Sequence, residues 1–258
     1  MQGVSNRVSP LFLLLLAVAV GGGVLAAVGT PELIDGGSTV LFTTGVVLLV
    51  LGGWAVSLCL HEFGHAVVAY RGGDHSVRDK GYLTLDIRRY TDIGLSFVLP
   101  VFFLLLGGIP LPGGAVWIDQ AALRTRGTRS LVSFAGPATN LVIGAVCTLA
   151  VAFVPMPVGL ALGLSALALI QVLAFVLNIL PIPGLDGFGI IEPYLSLPAR
   201  RFAARIRPWA PIALFVLIIG VPGVSVAFFD LGQLIFGAVG GNAQYAAYGY
   251  QELFFWRR

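Results

Sequence analysis

The chain has 258 residues, of which 57% are hydrophobic and only 10% charged, and its mean hydropathy is +0.94. Soluble domains carry about 25% charged residues, so this composition excludes an ordinary soluble enzyme and describes an integral membrane protein whose first partner is the lipid bilayer. The net charge of +3 includes no basic run interleaved with aromatics, so no nucleic-acid partner is expected. The cysteines Cys59 and Cys147 both fall in apolar runs and read as buried hydrophobes rather than a redox pair.

Residues 10–29 form the first apolar stretch, behind a short start bearing Arg7. It is long enough to cross and further spans follow, which favours a retained span over a cleaved signal peptide. The connection 30–38 carries Glu32 and Asp35 but no base. A second span is expected from about 39 to 70. Residues 71–92 mix Arg and Lys with Asp, and within them Leu83, Leu85 and Ile87 alternate with Thr84, Asp86 and Arg88. That period of two predicts a strand at the membrane surface.

The apolar piece 94–108 is short for a crossing, and Pro110, Pro112, Gly113 and Gly114 follow it. Both flanks of 94–118 are basic, so the positive-inside rule predicts a re-entrant segment, with a second short strand at 114–118. Residues 131–154 and 158–180 are two further spans; the latter runs into Pro181, Pro183, Gly184 and Gly187, which cannot continue a regular helix. The stretch 193–208 holds Arg200, Arg201, Arg205 and Arg207 and no acid, marking a cytoplasmic loop. Residues 209–240 are either one kinked span or a hairpin, and the basic tail ending in Arg257 and Arg258 favours the hairpin. The expectation is one integral membrane domain over 1–258: an all-α polytopic fold with about six transmembrane segments, a short membrane-associated β element and a re-entrant segment. Its core is placed at about 40–192, its peripheral spans at 10–29 and 209–240, and its location in the plasma membrane.

Chemistry enters at the end of the second span, where His61-Glu62-Phe63-Gly64-His65 interrupts an apolar run. His61 and His65 are one helical turn apart and project from one face, within reach of a single ion. Glu62 beside them is placed to handle the proton of an attacking water. H-E-x-x-H also occurs as a plain polar face of soluble helices, but ionisable groups at membrane depth are costly and usually functional.

Catalytic zinc takes three protein ligands as a rule. A histidine six residues after His65 is ruled out, because that position is Arg71. His75 sits in a polar loop, and Asp86 and Asp92 belong to the polar surface stretch. Asp186 is the better third ligand: the second span and the span ending near 180 run in the same direction, so both deliver their ends to the same face. Two neutral imidazoles and one carboxylate around a dication, with a hydroxide, sum to zero charge, the least costly state in a low dielectric. A turn-forming Asp-Gly pair is the plainer account of Asp186.

Asn178-Ile-Leu-Pro181-Ile-Pro183-Gly-Leu185-Asp186-Gly187 reads N-x-x-P-x-P-x-L-D-G, and with His61-Glu62-Phe-Gly-His65 upstream it resembles the site-2 protease family, zinc metalloproteases that cleave within membranes. Gly136-Pro137-Ala-Thr-Asn140 is similar to that family's G-P-x-x-N helix start. The resemblance covers roughly residues 40–192. It implies one Zn2+ held by His61, His65 and Asp186, Glu62 as catalytic acid/base, and Asn140 and Asn178 near the substrate. Against the larger members of that family, the expectation is a compact form without an inserted PDZ domain or an appended regulatory domain, and no regulator is named by the sequence. The implied substrate is a single-span membrane protein, which must unwind before attack; the strands at 82–88 and 114–118, with Gly114 and Val116, are placed to accept it by edge pairing. A membrane metal-ion transporter using the same ligands and a non-catalytic binder of membrane segments stand as the alternatives.

Overall fold

The first span starts at a capped helix end: Ser9 Oγ accepts the N–H of Leu11 at 3.3 Å and Pro10 occupies the first helical turn, the pairing expected of a helix start. The computed structural model describes residues 8–34, 39–90 and 116–257. In chain order its helices are α1 (Pro10–Val28), α2 (Thr30–Ile34), α3 (Val40–Gly72), α4 (Ser76–Asp79), α5 (Ile87–Tyr90), α6 (Arg126–Phe153), α7 (Val158–Ile179), α8 (Asp186–Ile191), α9 (Leu197–Ile206), α10 (Ala210–Gly220), α11 (Pro222–Ala238) and α12 (Ala243–Gln251). Short 3₁₀ segments lie at Tyr82–Thr84, Glu192–Tyr194 and Glu252–Arg257.

Four of these, α1, α3, α6 and α7, are long and apolar enough to cross a membrane, and α9 with α10 makes a fifth if that pair, bent by 62°, is counted as one span. The chain is thus a multi-pass membrane protein. α7 is its axis: 83% of its most apolar window is buried in the protein, against 22% for α1. A helix apolar all round belongs in the middle, and α3, α6, α11 and α12 pack on it. α1 meets α3 closely because the interface is made of small residues. A Cβ on Gly22 would overlap backbone of Leu48 and Leu49, and one on Gly45 would overlap Ala26, so the glycines set the approach.

The structure departs from the expected architecture in two places. Among the described residues there is no strand. The alternating stretch 82–88 is instead a 3₁₀ turn and the start of α5, because Gly81 and Leu85 both adopt left-handed backbone, φ 77° and 58°, and end the turn on either side. Asp86 then accepts from the backbone N–H of Arg88 at 3.2 Å. The apolar residues of this stretch are still used: Tyr82, Leu83, Leu85 and Ile87 cover Cys59, Ala66 and Ala69 on α3. Residues 116–119 have no regular structure, and the rest of the expected re-entrant segment, 94–115, lies outside the described residues.

The second departure concerns the spans, expected at about six. The apolar region after 209 breaks at Val221–Pro222 into α10 of 11 residues and α11 of 17, each short for a crossing that needs roughly 20 residues. It does not return as a hairpin. α10 starts beside the turn at Gly184, whose Cβ would meet Pro211, whereas the tail packs at the other end of the bundle, with Thr43 Oγ1 donating to Glu252 Oε2 at 2.6 Å. Thr43 lies in the first turn of α3 and His61 18 residues further on, roughly 27 Å away along the helix. The region therefore traverses the bundle once. Arg71, Arg124, Arg126, Arg129 and the arginines of α9 collect at the end where α3 finishes and α6 begins, joined by Arg124 N–H to Gly72 O at 3.2 Å.

Candidate metal centre

α3 presents His61, Glu62 and His65 on its inward side, 6%, 3% and 6% exposed. Asp186 reaches them from beyond the C-terminal end of α7. α7 stops at Ile179; Pro181 and Pro183 prevent its continuation, and Gly184 takes φ +103°, a conformation glycine adopts without penalty. The chain turns back through Leu185 N–H to Ile182 O at 2.9 Å, and Asp186 opens α8. Gly187 lies so close to the carbonyls of Ile179 and Leu180 that a Cβ would overlap them. Ser130 Oγ donates to Ile190 O at 2.7 Å, which fastens α8 to α6.

The outcome is a cluster in which one nitrogen of each histidine and one oxygen of Asp186 lie within 4.8 Å of one another. His61 Nε2 stands 3.1 Å from His65 Nε2 and 3.1 Å from Asp186 Oδ2, and His65 Nε2 is 3.4 Å from the same oxygen. The far sides of both rings are spoken for. His65 Nδ1 is 2.6 Å from the carbonyl of Val132, which can only accept, so Nδ1 carries the proton and Nε2 a lone pair. His61 Nδ1 is 2.5 Å from Asn140 Oδ1, with the same consequence. Two lone pairs and a carboxylate thus converge on one point, an arrangement relieved by a cation.

α6 leaves room for it. A Cβ on Gly136 would overlap Nε2 of both histidines, so the hydrogen of glycine opens the space in which an ion contacts both rings. Pro137 follows, eleven residues after Arg126 and so inside α6, whereas the G-P-x-x-N resemblance implies a helix start there. It offers no N–H to the carbonyl of Ser133 one turn earlier, next to the Val132 carbonyl that meets His65. Two imidazole nitrogens and a carboxylate oxygen, with open volume beside them, are the donor set of a catalytic zinc, so the residues fit the ion.

The cluster forms the floor of a cavity of about 750 Å³, also lined by Glu62, Val116, Asn140, Asn178 and Arg129. Glu62 Oε2 accepts the backbone N–H of Val116 at 3.1 Å. Asn178 is 4% exposed and its Oδ1 has no hydrogen-bond partner among the described residues. Asn140, expected near the substrate, is also buried, but its oxygen faces His61 and its N–H donates to Gln171 Oε1 at 2.8 Å. Gly114 and Asp92 lie outside the described residues. His75 is exposed, edge-on to Tyr70 with ring centroids 5.0 Å apart. Asp86 is tied to the guanidinium of Arg88 at 2.9 and 2.8 Å, whose hydrogen bonds hold its carboxyl below the usual carboxylate range. Neither joins the cluster.

Sequence reasoning passed over Gln171, Gly136 as a metal cradle, and the Val132 carbonyl. A signal for the first was present: Gln171 and Asn178 are amides in a helix otherwise almost wholly apolar, seven residues apart and hence on one face.

Residues 47–163 match the model of Peptidase family M50. The chain is 43% identical to a protein of Mycolicibacterium smegmatis named as a zinc metalloprotease, Rip2, over 98% of this chain and 95% of that one. It is likewise 43% identical to the Rip2 of Mycobacterium tuberculosis strain H37Rv, over 99% and 96%. A Bacillus subtilis protein also named as a zinc metalloprotease, YwhC, is 28% identical over 64% of this chain and 77% of its own. No solved structure matches. With a family model, near full-length relatives and a donor set suited to zinc in agreement, the chain belongs to peptidase family M50, the site-2 proteases, and is a membrane zinc metalloprotease.

Proposed function

We propose that this protease hydrolyses peptide bonds in the membrane segments of single-span proteins, near the cytoplasmic face of the plasma membrane, as a step of regulated intramembrane proteolysis. His61, His65 and Asp186 hold its zinc and Glu62 is the catalytic acid/base. One observation carries the reading: the bare Nε2 atoms of His61 and His65 and the Asp186 carboxylate face one another at 3.1 to 3.4 Å, with Glu62 next in sequence. When bound, the ion supplies Lewis acidity, lowering the pKa of water and polarising the scissile carbonyl.

The chain's own groups do the rest. Glu62, beside the ligands in the cavity, takes a proton from the attacking water and returns it to the leaving amine nitrogen. Asn178 Oδ1, which has no hydrogen-bond partner among the described residues, offers an acceptor for a backbone N–H of the substrate. The irregular backbone at 116–119 borders the cavity where an extended segment would lie, and such a segment must first give up its helical hydrogen bonds. Cytoplasmic placement is supported by the arginines at this end of the bundle, following the positive-inside rule, and the cavity admits the water that hydrolysis consumes.

The test is Glu62→Gln, assayed for zinc content and for cleavage of a single-span substrate. A protease with this site keeps its zinc and loses cleavage by at least about a hundredfold; cleavage at the wild-type rate would remove Glu62 from the mechanism. A metal transporter would keep its flux in the same variant, and a binder would show no cleavage in either protein.

A further inference from the structure

We propose that Gln171 is a positioning residue for the zinc site, acting on His61 through Asn140. The inference rests on His61 being a ligand and adds a member to the site from a third helix.

Gln171 lies in α7 and is fully buried, at 0% exposure. Its Oε1 accepts from Asn140 Nδ2 at 2.8 Å, and Asn140 Oδ1 faces His61 Nδ1 at 2.5 Å. The order of these contacts has a chemical consequence. An asparagine amide can be turned by 180°, exchanging its acceptor and donor ends. With its oxygen toward His61, the imidazole keeps its proton on Nδ1 and its lone pair on Nε2, the state that binds metal. With its NH2 toward His61, Nδ1 must accept, the proton moves to Nε2, and the ring cannot ligate. The competent orientation directs the Asn140 N–H away from the site into the contact between α6 and α7. That N–H needs an acceptor there, since burying it unpaired is costly, and Gln171 Oε1 is the acceptor.

A second feature favours this role over packing. Gln171 Nε2 is buried with no hydrogen-bond partner among the described residues. A leucine or methionine would fill the same space between two apolar helices without that cost, so the amide is retained for what its oxygen does. Ligands held by such outer partners lose about ten- to a hundredfold in metal affinity when the partner is removed.

The experiment measures zinc affinity by competition with a chromophoric chelator on the full-length protein in detergent, so the readout does not depend on substrate. Gln171→Met removes the acceptor at nearly constant shape, and is expected to weaken zinc binding by about ten- to a hundredfold. Asn140→Asp replaces the reversible amide by a carboxylate that accepts from His61 in either orientation and has no N–H to satisfy. Adding Gln171→Met to Asn140→Asp is therefore expected to change affinity by less than about threefold. A purely structural Gln171 predicts lower melting temperatures with unchanged zinc affinity, or the same loss in both backgrounds; either result overturns the proposal. If Gln171→Met does not fold, Gln171→Glu, which keeps an acceptor oxygen, decides: wild-type affinity supports the assignment, and a loss above about tenfold in folded protein overturns it. His61→Ala is the control for the site itself. Zinc binding unimpaired by that change would refute His61 as a ligand, a failure distinct from that of Gln171.

Discussion

The backbone N–H of Val116 donates to Oε2 of Glu62 at 3.1 Å, so the proposed acid/base is oriented by the same strip of backbone that borders the substrate cavity. Val116→Pro removes that donor. Hydrogen bonds to charged groups contribute about 1.5–3 kcal/mol, and losing the one that orients Glu62 is expected to lower kcat by about ten- to a hundredfold with zinc content unchanged. Steady-state cleavage with zinc analysis on the same preparation checks this, and an unaltered kcat would detach Val116 from the reaction.

Asp186 contributes the negative charge that balances the ion. Asp186→Asn keeps the shape and removes the charge, so zinc should be lost on dialysis against a buffer that leaves the wild type at one ion per chain. Metal bound to the folded state alone stabilises it by about 4 kcal/mol at a thousandfold excess over Kd. Chelation is therefore expected to lower the melting temperature of the wild type and to leave that of Asp186→Asn nearly unchanged, as a pair of thermal scans would record.

Gly136 is predicted to be intolerant for a local reason. The Cβ of Gly136→Ala would overlap Nε2 of both histidines, and zinc affinity should fall at least about tenfold. Gly21 supplies the control, since nothing lies within 4 Å of a Cβ there. Gly21→Ala should leave zinc unaltered and change stability by no more than about 1 kcal/mol. Equal zinc affinity in the two variants would show that α6 stands further from the site.

The single traverse after residue 209 is open to labelling. Cysteines placed at the exposed positions Tyr248, on α12, and Arg126, at the start of α6, should react with a membrane-impermeant thiol reagent from opposite sides of the membrane. Reaction from the same side would restore the hairpin that the basic tail favours.

What the sequence could disclose was local or nearly so. Apolar runs of crossing length mark α1, α3, α6 and α7, because a helix closes its own backbone hydrogen bonds and needs only length and hydropathy to enter a bilayer. His61, Glu62 and His65 were legible from their spacing within one turn of helix. Asp186 was legible because the direction of two spans brings their ends to one face.

Contacts between remote segments were not legible, and there the tertiary structure decided. The alternation at 82–88 was read as a strand, yet the same residues cover α3 from a turn, since period two registers which side chains are buried and not the backbone that buries them. Asn140 was expected near the substrate from its motif alone; its contacts with His61 and with Gln171, 31 residues away in sequence, appear only once the helices are packed. The tail's basic residues pointed to one side of the membrane, while Glu252, 209 residues from Thr43, packs at the other. Hydropathy and charge register how deep a residue lies; which neighbour its hydrogen bond finds at that depth depends on how the helices pack.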